Sequence, residues 1–161
     1  MLKLYLELEH ARFSEQFSYV FEVDEKLENS EFELPPMMVQ RYIENAIWHG
    51  LRYRKGPGKL HIHFQELNNR LSITIADDGI GIKQSKALKT MHQKMQNSLG
   101  MKNIGTRIAL MNEIYGIGME VNISETYPES ENPGTTVNIL IPQSRQASAN
   151  SESSTRNPQK S

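Results

Sequence analysis

Hydrophobic residues recur along most of the chain with either a helical or a strand period. Spacings of three and four residues predict helices, whereas alternation of apolar and polar residues predicts half-buried strands. In chain order, the pattern predicts a helix, a strand, a helix, two strands, a helix and two strands. Their ranges are Leu2–Phe13, Phe17–Val23, Leu34–Leu51, Leu60–Gln65, Leu71–Ala76, Gly100–Tyr115, Met119–Glu125 and Thr135–Ile141.

This order of elements predicts one α+β domain. Helices would cover one face of a mixed, mostly antiparallel sheet, which is a two-layer α/β sandwich. We expect the domain to occupy residues 15–142. Residues 1–14 form a helix that begins without a capping residue, as a helix cut from a longer one would. Residues 143–161 are polar with almost nothing apolar, which predicts a disordered tail.

The predicted helix Leu34–Leu51 has two contrasting faces. Pro35 and Pro36 suit its first turn, where an N–H is not needed, and Gly50 suits a left-handed end. Taken alone, its polar face is more typical of a solvent-exposed helix than of a binding site. The apolar face has Val39, Ile43, Ala46 and Ile47, and the opposite face has Arg41, Glu44, Asn45 and Trp48.

Charge is balanced over the whole chain but not along it. With 18 basic and 19 acidic residues the formal net charge is -1, which gives no overall basic field. We therefore expect no nucleic-acid partner and no membrane contact by this chain itself. Between Gly79 and Asn112, however, every charged residue is basic, and such a segment would attract a polyphosphate. Its bases are Lys83, Lys86, Lys89, Lys94, Lys102 and Arg107.

The composition excludes several other kinds of site. The chain has no cysteine, so it has neither disulfides nor thiolate metal ligands, and it fits a reducing compartment. No apolar run is long enough to span a membrane, and no signal-peptide pattern is present. His61 and His63 lie on the polar face of a predicted strand, which is more typical of surface residues than of metal ligands.

One segment, Asp77-Asp78-Gly79-Ile80-Gly81, places a carboxylate and two glycines at the end of a predicted strand. An ionised carboxylate only accepts hydrogen bonds, so it suits an exocyclic amine such as that of adenine. Glycines let the backbone approach a flat ring. The same pattern occurs in simple turns and in calcium-binding loops. On its own, the segment leaves all three interpretations open.

Two further segments could complete a nucleotide site. Ser98-Leu99-Gly100-Met101-Lys102-Asn103 opens a predicted helix, whose free N–H groups form a natural anion site. An ordinary glycine-containing helix start explains that segment equally well. Gly134-Thr135-Thr136 begins the last predicted strand and could supply a hydroxyl partner to Asp77.

Four segments together resemble the N box and the three glycine boxes of the GHKL ATP-binding superfamily, which includes histidine kinases, gyrase B and MutL. The resemblance covers about Leu2 to Pro142. Tyr5–Phe13 and Pro35–Gln40 are similar to sensor histidine kinases of the LytS type, in which the first of them joins the phosphoacceptor and catalytic domains. The four segments are Glu44–Gly50, Asp77–Gly81, Leu99–Asn103 and Gly134–Val137.

The resemblance implies a Bergerat-type fold that binds Mg-ATP. Asn45 would bind Mg²⁺ through its amide oxygen, with Glu44 beside the metal and its waters. Asp77 would accept from the adenine amine, supported through a water by Thr135. Residues 83–99 would form a lid over the nucleotide. The remaining nucleotide contacts would come from His49, Gly79 and Gly81, and at the phosphates from Gly100, Met101, Lys102 and Asn103.

The implied activity is transfer of the γ-phosphoryl of ATP to a histidine on another domain or chain. The phosphoryl group would then pass to the receiver domain of a response regulator. Residues 1–14 would be the linker helix left from the upstream phosphoacceptor domain. The chain would be cytoplasmic, also where its parent kinase is anchored in a membrane. The alternatives are a GHKL serine kinase of the anti-sigma-factor type and a non-catalytic ATP-binding switch module.

Three features depart from the family pattern. Trp48 stands where many such kinases have a lysine that reaches phosphate, so Arg41, His49 or a lid lysine would have to replace it. Ser98 replaces the first glycine of the usual Gly-x-Gly. The phosphoacceptor histidine has no counterpart in this chain, since His10 does not match its motif.

Overall fold

A computed structural model describes residues 2–30, 32, 34, 37–88, 105–106, 108–110, 112–114, 116 and 118–143. Three helices and five strands are defined within these ranges. They are α1 (Leu2–Arg12), β1 (Phe17–Val23), α2 (Met38–Asn45), β2 (Gly58–Leu67), β3 (Arg70–Asp77), α3 (Gly81–Leu88), β4 (Glu120–Ser124) and β5 (Thr135–Pro142). Residues 105–106, 108–110 and 112–114 are also helical.

The strands form one sheet in the order β1-β2-β3-β5-β4. β1 pairs with β2 in parallel, and the other neighbours are antiparallel. A parallel pair needs a crossover connection, and here that connection contains α2. The prediction of a mixed, mostly antiparallel sheet is therefore confirmed.

β2 and β3 form the hairpin that their alternating pattern predicts. Asn68 and Asn69 make its two-residue turn, with φ angles of 52° and 58°. Asparagine tolerates this left-handed region better than most residues, and two-residue turns of this hand match the twist of the strands. The pairing runs from Leu67 and Arg70 beside the turn to the open end of the hairpin.

One face of the sheet carries the hydrophobic core. On β2, Leu60 and Ile62 are buried, while His61 between them is exposed. The helices pack on the buried face, which makes the two-layer α+β sandwich that the order of elements predicts. The other core residues include Leu6, Val39, Tyr42 and Ile43 from the helices and Leu71, Ile73, Ile75, Val137, Ile139 and Ile141 from the strands.

The predicted helix Leu34–Leu51 is divided after α2. A five-residue π-turn covers Ala46–Gly50, and a short 3₁₀ turn covers Leu51–Tyr53. The apolar face predicted for this helix is confirmed, because Val39, Ile43, Ala46 and Ile47 are all buried.

The left-handed end predicted at Gly50 is wrong, because this residue has φ -103° and ψ -71°. The Leu51 amide donates to the carbonyls of Ala46 and Ile47, so the chain continues in a right-handed turn. Pro35 and Pro36, predicted in the first turn, lie outside the described residues.

α1 contributes directly to the core through Leu6, which is fully buried. The domain boundary at residue 14 and the linker origin of this helix stay predictions. The tail predicted from residue 143 lies outside the described part of the chain except for Gln143. No helix within the described ranges is long and apolar enough to cross a bilayer.

Two leucines on α1 test whether this helix is part of the folded unit. Leu6 is 0% exposed and Leu4 is 60% exposed. Leu6→Ala should lower the free energy of unfolding in urea by about 2–5 kcal/mol, because it leaves a cavity in the core. Leu4→Ala, the matched control, should change it by less than about 0.5 kcal/mol. Equal stability of the two variants would mean that α1 is detached in solution.

Candidate functional site

Asp77 is the last residue of β3, and both neighbouring strands fix its position. It pairs with Leu60 on β2 and with Thr135 on β5. The residue is only 3% exposed. Its Oδ1 accepts a hydrogen bond from the Gly79 amide at 2.8 Å, so the chain turns back over the carboxylate directly after the strand. A hydrogen-bond acceptor is therefore held inside the protein at the end of the sheet's central strand.

Burial raises the pKa of Asp77 to about 7, because loss of hydration penalises the charged form. The hydrogen bond from Gly79 opposes this rise, the charge of Asp78 adds to it, and a backbone hydrogen bond from Thr135 opposes it. Near neutral pH the carboxyl is thus divided between its protonated and ionised forms. Strongly shifted pKa values of this kind cluster at functional sites.

The turn after Asp77 lies directly against the end of the π-turn. A Cβ on Gly79 would come within 2.4 Å of the carbonyl carbon of Gly50, and a Cβ on Gly50 would come within 2.9 Å of Asp77 Oδ1. The Ile80 amide donates to the Gly50 carbonyl at 3.3 Å. Only glycine fits at Gly79, because its backbone lies where a side chain would meet main-chain atoms that cannot move aside. This contact joins the N-box segment to Asp77.

The start of β5 is joined to the same turn. Gly134 has φ 62°, and a Cβ there would lie 2.0 Å from the Asp77 carbonyl oxygen. Its amide donates to the Gly79 carbonyl at 3.0 Å. The Thr126 hydroxyl lies 2.9 Å from the Asp77 carbonyl oxygen and 2.9 Å from the Thr136 hydroxyl. The segment containing Thr135 is therefore fixed beside Asp77.

Gly81 begins α3 on the other side of this turn. Its φ of 80° is left-handed, and a Cβ there would lie 2.7 Å from Pro133 Cγ. The position thus needs glycine both for its backbone angle and for its contact with the loop before β5.

The end of α2 and the π-turn carry the residues predicted at the metal site, Glu44 and Asn45, and His49, which is predicted to contact the nucleotide. Glu44 and Asn45 end α2, His49 lies in the π-turn, and all three are half-buried. Glu44 Oε1 accepts from Gln40 Nε2 at 3.1 Å, and its Oε2 accepts from Arg41 Nη1 at 3.3 Å. Two residues of its own helix therefore orient this carboxylate. Asn45 and His49 each interact with other groups of the chain.

Trp48, at the position where the family resemblance predicts a lysine, is half-buried against α1 and the residue that follows it. The Phe13 ring meets the Trp48 ring edge-on, with 5.2 Å between centroids. A hydrogen bond from the Trp48 side chain lowers the pKa of the Tyr5 hydroxyl. The guanidinium carbons of Arg52 and Arg12 lie 5.1 and 5.9 Å from the ring centroid, within the range of cation–π attraction. Trp48 thus links the π-turn to α1.

The predicted phosphate-binding residues cannot be placed in the same way. Gly100, Met101, Lys102 and Asn103 lie outside the described residues, as do residues 89–99 of the predicted lid. α3 provides a helical piece at the beginning of that lid. Its Lys83 Nζ lies 3.9 Å from Glu125 Oε1.

The structure brings three of the four sequence segments together around Asp77. Gly79 contacts both Gly50 at the end of the N-box segment and Gly134 at the start of β5. Two contributions were missed by the sequence reasoning. Gly50 is a packing contact, although its place at the end of a helical pattern indicated only a helix end. Thr126 lies in a loop, where no periodicity marks it.

In the part of the chain that the structure describes, no group of three or more His, Asp or Glu side chains could hold a metal ion. Mg²⁺ in nucleotide sites commonly has one or two protein ligands, with phosphate oxygens and waters as the others. The amide oxygen of Asn45 is a ligand of the hard type that Mg²⁺ prefers.

The family model described as "Histidine kinase-, DNA gyrase B-, and HSP90-like ATPase" matches residues 35–145. The chain belongs to this ATPase family. The match includes every predicted site residue, from Glu44 to Thr135.

Curated relatives of this ATPase domain include sensor kinases. The chain is 32% identical to YwpD of Bacillus subtilis (strain 168), with 88% of the chain and 47% of that protein covered. It is 30% identical to sensor histidine kinase YpdA of Escherichia coli (strain K12) and to sensor protein LytS of Oceanobacillus iheyensis, with 89% and 88% of the chain covered. The chain spans 23% of each of these two proteins. The resemblance to LytS-type sensor histidine kinases is confirmed.

Solved structures of similar fold include histidine kinases. The mycobacterial sensor histidine kinase MprB superposes with a TM-score of 0.54 at 14% identity, covering 88% of this chain and 91% of that one. The catalytic domain of histidine kinase ThkA gives 0.54 at 13% identity, covering 88% and 89%. At these identities the likeness concerns the fold, and it agrees with the two-layer sandwich of this ATPase domain.

The raised pKa of Asp77 predicts a pH-dependent cost of its burial. The folded protein holds this proton up to about pH 7, whereas an unfolded aspartate releases it near its ordinary pKa of 3.8. Stability contributed by the protonated carboxyl is therefore present below pH 3.8 and is lost as pH rises to about 7. The Asp77→Asn variant, which has no such titration, should become more stable to thermal unfolding relative to wild type as pH rises from 5 to 8. A stability difference that is the same at both pH values would contradict the assigned pKa.

Proposed function

We propose that this chain is the Mg-ATP-binding catalytic domain of a two-component sensor histidine kinase. The reaction is transfer of the γ-phosphoryl of ATP to a histidine supplied by another domain or chain, followed by relay to a response regulator. The observation that carries this proposal is a buried carboxylate, that of Asp77, joined by glycine backbone contacts to the helix end that bears Asn45 and to the start of β5.

The base site takes its chemistry from Asp77. Its ionised carboxylate accepts hydrogen bonds only, so it accepts from the amine of adenine and repels the carbonyl oxygen that guanine has in that place. Thr135 supports it through a water, since its backbone is fixed beside Asp77 by strand pairing. Gly79 and Gly81 border the base, where their lack of side chains leaves room for the ring.

The metal and phosphate sites lie toward the end of α2 and the lid. Asn45 binds Mg²⁺ through its amide oxygen, and Glu44 lies beside the metal and its waters. His49 contacts the nucleotide, and residues 100–103, which lie outside the described residues, bind the phosphates. Phosphoryl transfer needs little covalent help from the protein, so positioning and neutralisation of charge supply most of the catalysis.

The partners follow from the reaction. A phosphoacceptor domain, on the same longer chain or on another, presents the histidine, and a receiver domain takes the phosphoryl group from it. The names of YpdA and LytS as a sensor histidine kinase and a sensor protein support this assignment. Both ATP and response regulators are found in the cytoplasm, where we therefore place this domain.

Nucleotide binding at pH 8, where Asp77 is ionised, tests the base site. Asp77→Asn should weaken Mg-ATP binding about 10- to 100-fold, as expected when a hydrogen bond to a charged group is lost. It should also narrow the preference for ATP over GTP, because an asparagine amide can donate to the guanine carbonyl. Competition against a fluorescent ATP analogue measures both effects.

Asp78→Asn is the matched control for that experiment. The Asp78 carboxylate accepts from the Lys59 amide at 2.6 Å and lies 3.6 Å from Arg54 Nη2, so its partners are protein groups. The Mg-ATP affinity of the Asp78→Asn variant should stay within about threefold of wild type, as for most substitutions outside a binding site. Unchanged affinity after Asp77→Asn would contradict the assignment of the nucleotide site.

Phosphoryl transfer is tested with labelled ATP, a separately expressed helical domain that bears the acceptor histidine, and a response regulator. We expect acid-labile label on the histidine that moves to the regulator, and its loss in Asn45→Ala because the metal ligand is gone. Acid-stable label on serine would instead support the serine kinase. Nucleotide binding without any label would support the non-catalytic switch module.

A further inference from the structure

Trp48 is the only tryptophan of the chain. Its contacts connect the π-turn to α1, which is far away in sequence. Its indole ring contacts Tyr5 of α1 and Phe13, which is the residue directly after that helix. Trp48 itself lies in the π-turn, three positions beyond Asn45. Any movement of α1 therefore acts directly on the turn that follows the proposed metal ligand.

The electrostatic surroundings of Tyr5 include Glu44 of the N-box segment. Burial raises the pKa of Tyr5, and the negative charges of Glu9 and Glu44 raise it further, whereas the hydrogen bond from Trp48 lowers it. Glu44 is the neighbour of Asn45 and lies on the same helix end. Two residues of the N-box segment, Glu44 and Trp48, thus interact with one side chain of α1.

The π-turn is held from its opposite end by a different kind of contact. Gly50 packs by its backbone against Gly79, in the turn that covers Asp77. That contact leaves no space for adjustment, whereas Trp48 is held by one hydrogen bond, an edge-on ring contact with Phe13 and two cation–π contacts. A shift of α1 would therefore change the position of Asn45 before it changes that of Asp77. π-turns often occur at such functional positions.

We propose that Trp48 is a positioning residue, which transmits the docking of α1 to Asn45 and so sets the affinity of the domain for Mg-ATP. This inference rests on the proposed function of the site. Binding free energies are reciprocal, so Mg-ATP must in turn strengthen the docking of α1 by the same factor. At the place where related kinases carry a phosphate-contacting lysine, this domain carries a link between its first helix and its metal site.

Two mild substitutions separate this role from simple packing. Tyr5→Phe removes the acceptor of the indole hydrogen bond and keeps the ring, and Trp48→Phe removes the donor and part of the ring. Tyr19→Phe is the control, because it also removes a phenol hydroxyl near α1, from a ring that lies 5.3 Å from that of His10. Affinities for Mg-ATP and for adenosine are measured for each, since adenosine uses the base site without metal or phosphates.

Tyr5→Phe and Trp48→Phe should weaken the binding of Mg-ATP and leave the binding of adenosine unchanged. We expect Mg-ATP to bind about fivefold more weakly to Tyr5→Phe, the usual effect of one hydrogen bond. For Trp48→Phe we expect a loss of about 5- to 50-fold, within the normal range of coupling between sites. Adenosine affinity should stay within about twofold of wild type in both variants, and Tyr19→Phe should bind both ligands like wild type.

Hydrogen exchange provides the reciprocal measurement. In wild type, Mg-ATP should slow amide exchange in α1, and in Tyr5→Phe and Trp48→Phe this protection should be reduced. Wild-type Mg-ATP affinity in both variants, or an equal loss of adenosine and Mg-ATP affinity, would overturn the proposal. Wild-type protein that binds neither ligand would instead contradict the proposed function itself, so the two failures can be told apart.

Discussion

The backbone contact between Gly50 and Gly79 is the constraint on which the rest of the site depends. The space between the two segments is too small for a Cβ atom. The end of the N-box segment, the turn over Asp77 and the start of β5 therefore meet at one place. Because the contact is between main-chain atoms, it fixes the orientation of the two segments as well as the distance between them. In our proposal, the side chains that bind adenine and metal are thus carried by elements that meet at this one contact.

Burial of Asp77 destabilises the folded state, and in our proposal it favours recognition of the nucleotide. A carboxylate that has lost its hydration is destabilising unless hydrogen bonds compensate, and here the compensation from Gly79 and Thr135 leaves a raised pKa. In our proposal, a nucleotide amine donates a further hydrogen bond to this carboxylate. In our proposal, a residue that is unfavourable in the empty site is kept because it becomes favourable when the nucleotide binds.

Much of the fold could be predicted from the sequence because strands with one buried face alternate in an obvious way, as Leu60, Ile62 and Phe64 do. Asp77 could be placed at a strand end for the same reason. The π-turn could not be predicted, because a helical wheel assumes a constant rotation per residue. For the same reason, the helical wheel did not predict the contacts of Trp48. These contacts involve α1, which is far away in sequence. Thr126 acts from an irregular loop, where only the folded chain shows which carbonyl it reaches.

The Asn68-Asn69 turn determines which carboxylate is buried at the far end of its hairpin. Side chains alternate between the two faces of a strand, so a slip of one residue in β3 would move every side chain to the opposite face. Asp77 would then face away from the helices, and Ser72 and Thr74 would take the places of Ile73 and Ile75 in the core. Two asparagines with left-handed backbone angles prevent this slip. The length of this turn, which lies at the far end of the hairpin, thus determines that Asp77 rather than Asp78 is the buried acid at the end of β3.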